Sequence, residues 1–95
     1  MVIGVLRMKM IVRGSRSLKE KRSSVKGLKD RIAARFNASV AEVGYLDDRQ
    51  LAELGVTVCS TSGRHAGSML DAIVKMGRGA GLVELIDYST ELFNA

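Results

Sequence analysis

Apolar and polar positions alternate from the start of the chain. Over 2–12, Leu6, Met8, Met10 and Val12 fall on one side of an extended backbone and Val5, Arg7, Lys9 and Ile11 on the other. That two-residue period is the signature of a strand with one dry face and one partly wet face. Arg13-Gly14-Ser15-Arg16 breaks the alternation. Ser17 with Glu20 three residues later forms a capping box, in which hydroxyl and carboxylate satisfy backbone N–H groups that open a helix. The period then changes: Leu18, Val25, Leu28, Ile32 and Phe36 recur at spacings of seven, three, four and four. This predicts a helix from Leu18 with one apolar stripe and with Lys19, Arg22, Lys26, Lys29 and Arg31 mostly away from it. Asn37 suits the left-handed residue that ends such a helix.

Residues 39–45 and 52–60 read as two further strands, the second with Leu54, Val56 and Val58 on one face and Glu53, Gly55, Thr57 and Cys59 on the other. Leu46-Asp47-Asp48-Arg49-Gln50 joins them, short enough for a hairpin and so for antiparallel pairing. A second helix is predicted from Ser62 or Arg64 to Met76, with Ala66, Met69, Leu70, Ile73 and Met76 as its stripe and Gly77, Gly79 and Gly81 as its stop. A last strand runs from Leu82 to Phe93, with Ile86, Tyr88, Thr90 and Leu92 facing together. The order β-α-β-β-α-β, with two right-handed crossovers around a hairpin, specifies an α+β, ferredoxin-like sandwich. Its four-stranded antiparallel sheet has the order 4-1-3-2 and carries both helices on one face. At 95 residues the chain holds one core, so 1–95 is a single domain.

Apolar residues make up 46% and charged residues 26% of the sequence, a globular composition. No apolar run reaches the roughly 18 residues of a membrane span, since Arg7 and Lys9 interrupt the first, and the start lacks the pattern of a secretory signal. One cysteine and five methionines suit a reducing compartment, so a cytoplasmic location is expected. The charge is unevenly distributed. Residues 1–37 hold eleven basic residues against Glu20 and Asp30, whereas the remainder carries four basic and eight acidic ones. Such a segment raises the local potential and draws polyanions.

Two features could bind an anion. Arg13, Ser15, Arg16 and Ser17 lead into a helix whose first turn offers free N–H groups and a positive dipole end. Lys19, Arg22, Lys26 and Lys29 on the helix could neutralise nucleic-acid phosphates. The helix-free sheet face offers no aromatic on its central strands, which argues against base stacking there and for contacts to backbone and shape. The same face gathers Ile3, Val5, Ile11, Leu85 and Phe93, an apolar patch suited to homodimerisation, with pairing of an edge strand as the other route. His65 and Cys59 are each the only residue of their type, so no metal site is expected. No catalytic residue and no cofactor are indicated. An acylphosphatase-like hydrolase would need a water-orienting asparagine on the central strands, and only Asn37 and Asn94 are present.

Gly14-Ser15-Arg16-Ser17-Leu18-Lys19-Glu20-Lys21-Arg22, Phe36-Asn37-Ala38-Ser39-Val40-Ala41-Glu42-Val43, Ala52-Glu53-Leu54-Gly55 and Leu85-Ile86-Asp87-Tyr88 together resemble the YlxP-like family of bacterial proteins over essentially the whole chain. The resemblance implies a ferredoxin-like fold, no established activity and no catalytic residue to carry over. It also implies gene neighbourhoods that often contain translation and ribosome-maturation factors. The residues and the resemblance together lead to one expectation: a cytoplasmic, homodimeric, non-enzymatic module that binds RNA or a ribosomal surface through the basic helix and the loop before it. A small-ligand sensor or structural oligomerisation module is the alternative.

Overall fold

The computed structural model describes residues 1–95. In chain order its elements are β1 (Val2–Val12), α1 (Leu18–Arg35), β2 (Ser39–Gly44), β3 (Leu51–Ser60), α2 (Gly63–Arg78) and β4 (Val83–Asn94). The strands form one sheet in the order β2-β3-β1-β4, antiparallel at every pairing, which is the expected order read from the opposite edge. The alternation in β1 is realised in its burial: Leu6, Met8, Met10 and Val12 are buried beneath the helices, while the intervening residues face away from them. Leu54, Val56 and Val58 of β3 extend the same apolar surface, and Val25, Leu28, Ile32, Leu70 and Ile73 close it from the helical side.

Two glycines set how closely α2 can lie on this surface. A Cβ at Gly4 would come within 2.9 Å of a Val58 methyl and 3.1 Å of Leu70, and one at Gly77 within 3.1 Å of the Met8 sulfur. Gly77 therefore does not stop α2, as its glycine-rich surroundings suggest. It is a buried residue inside the helix, small because Met8 lies beneath it. The helix ends at Gly79, whose N–H donates to Lys75 and Met76 carbonyls.

The start of α1 is the capping box read from the sequence. The Ser17 hydroxyl accepts the Glu20 N–H at 3.1 Å, and the Glu20 carboxylate accepts the N–H of Arg16 at 2.7 Å, one residue before the cap. The other end differs from expectation. Phe36, not Asn37, turns the chain out of the helix in extended backbone, because Phe36 and Ala38 both pack against the core. Tyr45 is the one non-glycine residue with positive φ, at 56°.

A bulge changes the facing of β4. Pairing with β1 runs from Val2–Asn94 to Lys9–Asp87 and resumes at Met10–Leu85, which leaves Ile86 as the extra residue. Tyr88, Thr90 and Leu92 thus share the helical side of the sheet, and beyond the bulge Val83 and Leu85 rejoin it. Leu85 packs against the core instead of facing outward with Phe93, so it does not belong to the apolar patch assigned to the helix-free face. Every β4 residue from Ile86 onward is exposed.

Urea unfolding should separate the two devices that seat α1. Ser17→Ala is expected to cost about 1 kcal/mol by loss of the cap, and Ile32→Ala about 2–5 kcal/mol by opening a cavity.

Candidate nucleic-acid interface

The apolar stripe of α1 skips a position between Leu18 and Val25, and Lys21 occupies it, four residues before Val25. Its side chain is fully buried. The ammonium donates to the carbonyls of Tyr45 at 2.7 Å and Leu51 at 3.0 Å and lies 3.1 Å from Glu42 Oε1. That carboxylate oxygen accepts no well-directed hydrogen bond, so charge attraction rather than alignment holds the pair. The left-handed backbone at Tyr45 presents its carbonyl to both the Asp48 N–H and the Lys21 ammonium. Asp48 completes the loop. Its Oδ1 accepts the N–H groups of Leu51 and Gln50 at 2.7 and 2.8 Å, and these bonds hold its carboxyl below the ordinary 3.8. Lys21 therefore belongs to the core, and the seven-residue gap in the stripe is the signal that could have revealed it.

With Lys21 turned inward, Lys19, Arg22, Lys26 and Lys29 follow at spacings of three, four and three. They form one ridge along α1, with Arg22, Lys26 and Lys29 on the flank next to β2 and Lys19 bordering the cleft at the end of β1. Lys26 is paired with Asp30 at 2.6 Å. Lys19, Arg22 and Lys29 have no carboxylate within 4.0 Å. Between ridge and sheet runs a groove of about 230 Å³ lined by Arg22, Val25, Lys26, Lys29 and Glu42. Glu42 is the one acid there, and it already faces Lys21.

The loop before α1 offers less than the sequence suggested. The Arg13 guanidinium is tied to Glu84 of β4 at 2.6 Å, and that bond raises its pKa further. Ser15 donates to the Ser17 carbonyl at 3.1 Å, Ser17 serves as the helix cap, and Glu20 occupies the Arg16 N–H. The Glu20 and Glu84 carboxylates thus take the Arg16 N–H and the Arg13 guanidinium, two of the donors that an anion would use. Arg13, Ser15 and Ser17 already have partners within the chain, and the Arg16 guanidinium is the loop group left free. It borders a cleft of about 450 Å³ shared with Asp47, Asp48 and Arg49.

On the helix-free face, Ile3, Val5 and Ile11 are half-buried, and Phe93 pairs with Ile3 across the β1–β4 boundary. Besides Phe93, a second aromatic reaches this face, from the last residue of the predicted strand 39–45. The Tyr45 ring, just past β2, lies 5.1 Å from the Lys9 ammonium. Arg7 approaches Glu53 at 3.8 Å on the same face. No helix is long and apolar enough to cross a membrane.

Two measurements check this arrangement. Lys21→Met leaves a largely buried carboxylate and two carbonyls without their cation and is expected to cost about 3 kcal/mol or more in urea unfolding. Combining it with Glu42→Met should restore much of the loss, while Lys19→Met on the ridge should stay within about 0.5 kcal/mol of the parent. The second concerns pH. Asp48 has a lowered folded pKa, so its ionised form stabilises the loop above 3.8, and that contribution disappears as the pH falls through the lowered value. Asp48→Asn keeps an acceptor but does not titrate, so the stability difference between parent and variant should narrow below pH 3.8.

Comparison with known proteins agrees with this fold. The designed protein Foldit4 superposes with a TM-score of 0.57 at 9% identity, covering 100% of this chain and 99% of that one. The solution structure of the designed protein LFR1 1, described as having a ferredoxin fold, gives 0.52 at 14% identity, covering 98% and 83%. In sequence, Uncharacterized protein YlxP of Bacillus subtilis (strain 168) is 36% identical over 61 residues, 64% of this chain. The match spans 66% of that relative's length, just under two thirds. Residues 3–90 match the family described as Protein of unknown function (DUF503), and on that match the chain belongs to the DUF503 family.

Proposed function

We propose that this protein is a cytoplasmic, non-enzymatic accessory factor that binds RNA through the α1 ridge. One observation carries the reading: Lys19, Arg22 and Lys29 stand in line on one helix flank without acidic partners, although the chain holds ten acidic residues. Unpaired surface cations on one rigid helix can neutralise successive phosphates and release their counterions. Three of the five residues lining the groove beside the ridge are the cations Arg22, Lys26 and Lys29, which fits a phosphate backbone more than a base. Arg16, at the N-terminal end of the same helix, would extend the track and could hold one phosphate with two parallel hydrogen bonds. The hydrolase alternative finds little support in the geometry. Arg13 is occupied by Glu84, and Asn37 and Asn94 lie just after α1 and at the end of β4.

A salt titration with a labelled mixed-sequence single-stranded RNA tests the proposal. The logarithm of affinity should fall linearly with the logarithm of salt, by about 0.7 per phosphate contacted. Replacing Lys19, Arg22 or Lys29 by Gln should each reduce the slope by about 0.7 and weaken all RNA sequences alike. Lys26, already paired with Asp30, should matter less, and Arg16→Gln more than any one lysine. Lys75 and Arg78 on α2 serve as controls. Equal losses at the controls would reduce the effect to net charge, and no binding at low salt would leave the small-ligand or scaffold reading in its place.

A further inference from the structure

The two edges of the sheet differ in how they are protected. β2 is six residues long with every second residue half-buried, whereas β4 is twelve residues long and exposed from Ile86 onward. Natural edges are usually blunted by lysine, proline or a bulge within the exposed stretch. β4 contains no lysine and no proline, and its bulge lies near its start. Large apolar side chains cluster there as well: Ile86, Tyr88, Leu92 and Phe93 are 44–50% exposed, and Leu82, just before the strand, is 67% exposed.

The direction of the unpaired backbone groups follows from the chain termini. Met1 and Ala95 exchange hydrogen bonds at 3.1 and 2.8 Å, so both backbone groups of Ala95 face β1. By alternation along an antiparallel strand, the N–H and C=O groups of Tyr88, Thr90, Leu92 and Asn94 face outward. We infer that this edge pairs with the same edge of a second copy about a two-fold axis at Thr90, joining two sheets into one of eight strands.

The charges select that register. An axis at Ser89 would set Asp87 directly opposite the second copy's Glu91, twice, and an axis at Glu91 would oppose that residue with itself, an arrangement that destabilises a sheet. An axis at Tyr88 runs the pairing into the Ile86 bulge, and one at Leu92 leaves a shorter ladder. With the axis at Thr90, Tyr88 of each copy lies against Leu92 of the other on the helical side of the sheet. Thr90 meets its own equivalent, and Ser89 and Phe93 take the positions opposite Glu91 and Asp87. No like charges are directly opposed. Within each sheet, Arg7 and Lys9 of β1 sit beside Ser89 and Asp87 and offset the acidic row on β4. Glu91 and its equivalent become diagonal neighbours about 7–8 Å apart, so association should tighten as salt rises, opposite to the trend expected for RNA.

Sedimentation of the full chain tests the inference. The parent protein should behave as a species of twice the 10.3 kDa chain mass, with a dissociation constant that falls as salt is added. Thr90→Pro removes an outward N–H and no bond to β1, a substitution an edge strand tolerates. It should yield a monomer with unchanged circular dichroism. Leu92→Lys, which adds a charge on the same edge, should do the same should the proline variant fail to fold. A parent protein that is monomeric at every concentration would overturn the inference. So would a dimer that survives both edge variants or is abolished only by Val5→Glu on the sheet face.

Discussion

The buried ammonium of Lys21 determines how the helical layer meets the sheet. Taking a charge out of water is costly, and the cost is offset here only because two carbonyls and a carboxylate converge on one nitrogen. Those acceptors come from β2, the hairpin loop and the start of β3, so the contact fixes the rotation of α1 about its axis as well as its distance from the hairpin. The unusual backbone at Tyr45 belongs to the same arrangement, since its left-handed turn points the carbonyl inward. Everything on the outer surface of α1 inherits that rotation.

The same residue type therefore serves two opposite purposes on one helix. Lys21 holds the fold together out of reach of solvent, while Lys19 and Lys29 are left without partners on the flank. At the N-terminus of α1 the balance goes the other way. Glu20 and Glu84 answer the Arg16 N–H and the Arg13 guanidinium, so acidic partners gather at this end of the helix while its side carries unpaired cations.

Much of the fold was legible because its signals are local. The alternation in β1, the capping box at Ser17 and Glu20, and the short Leu46–Gln50 connection each specify one geometry with few competitors, and the crossover rule then orders the strands. What escaped the sequence depended on contacts between distant segments. Gly77 looks like a helix stop until Met8 is seen beneath it. Lys21 looks like one more surface cation because its acceptors lie 24 and 30 residues away. Leu85 and Ile86 are adjacent and both apolar, so either could face the core, and only the pairing with Met10 decides. For the interface, the ridge could be read from spacing, but the internal use of Arg13 could not, because Glu84 comes from the far end of the chain.

The bulge at Ile86 bears on how this domain can change length. Val83 and Leu85 anchor the start of β4 in the core, while the rest of the strand is held to β1 by backbone bonds and little side-chain burial. One surplus residue between these two regimes acts as slack. Loss of a residue at that point would straighten the strand without displacing either the anchors or the ladder beyond them, and the inside-outside order of Tyr88 to Asn94 would be kept. Elsewhere in β4 a single deletion would exchange the two faces of the strand, or pull Val83 out of the core. The strand can therefore lose one residue at the entrance to β4 and keep its facing, which a loss elsewhere along its paired length would not allow.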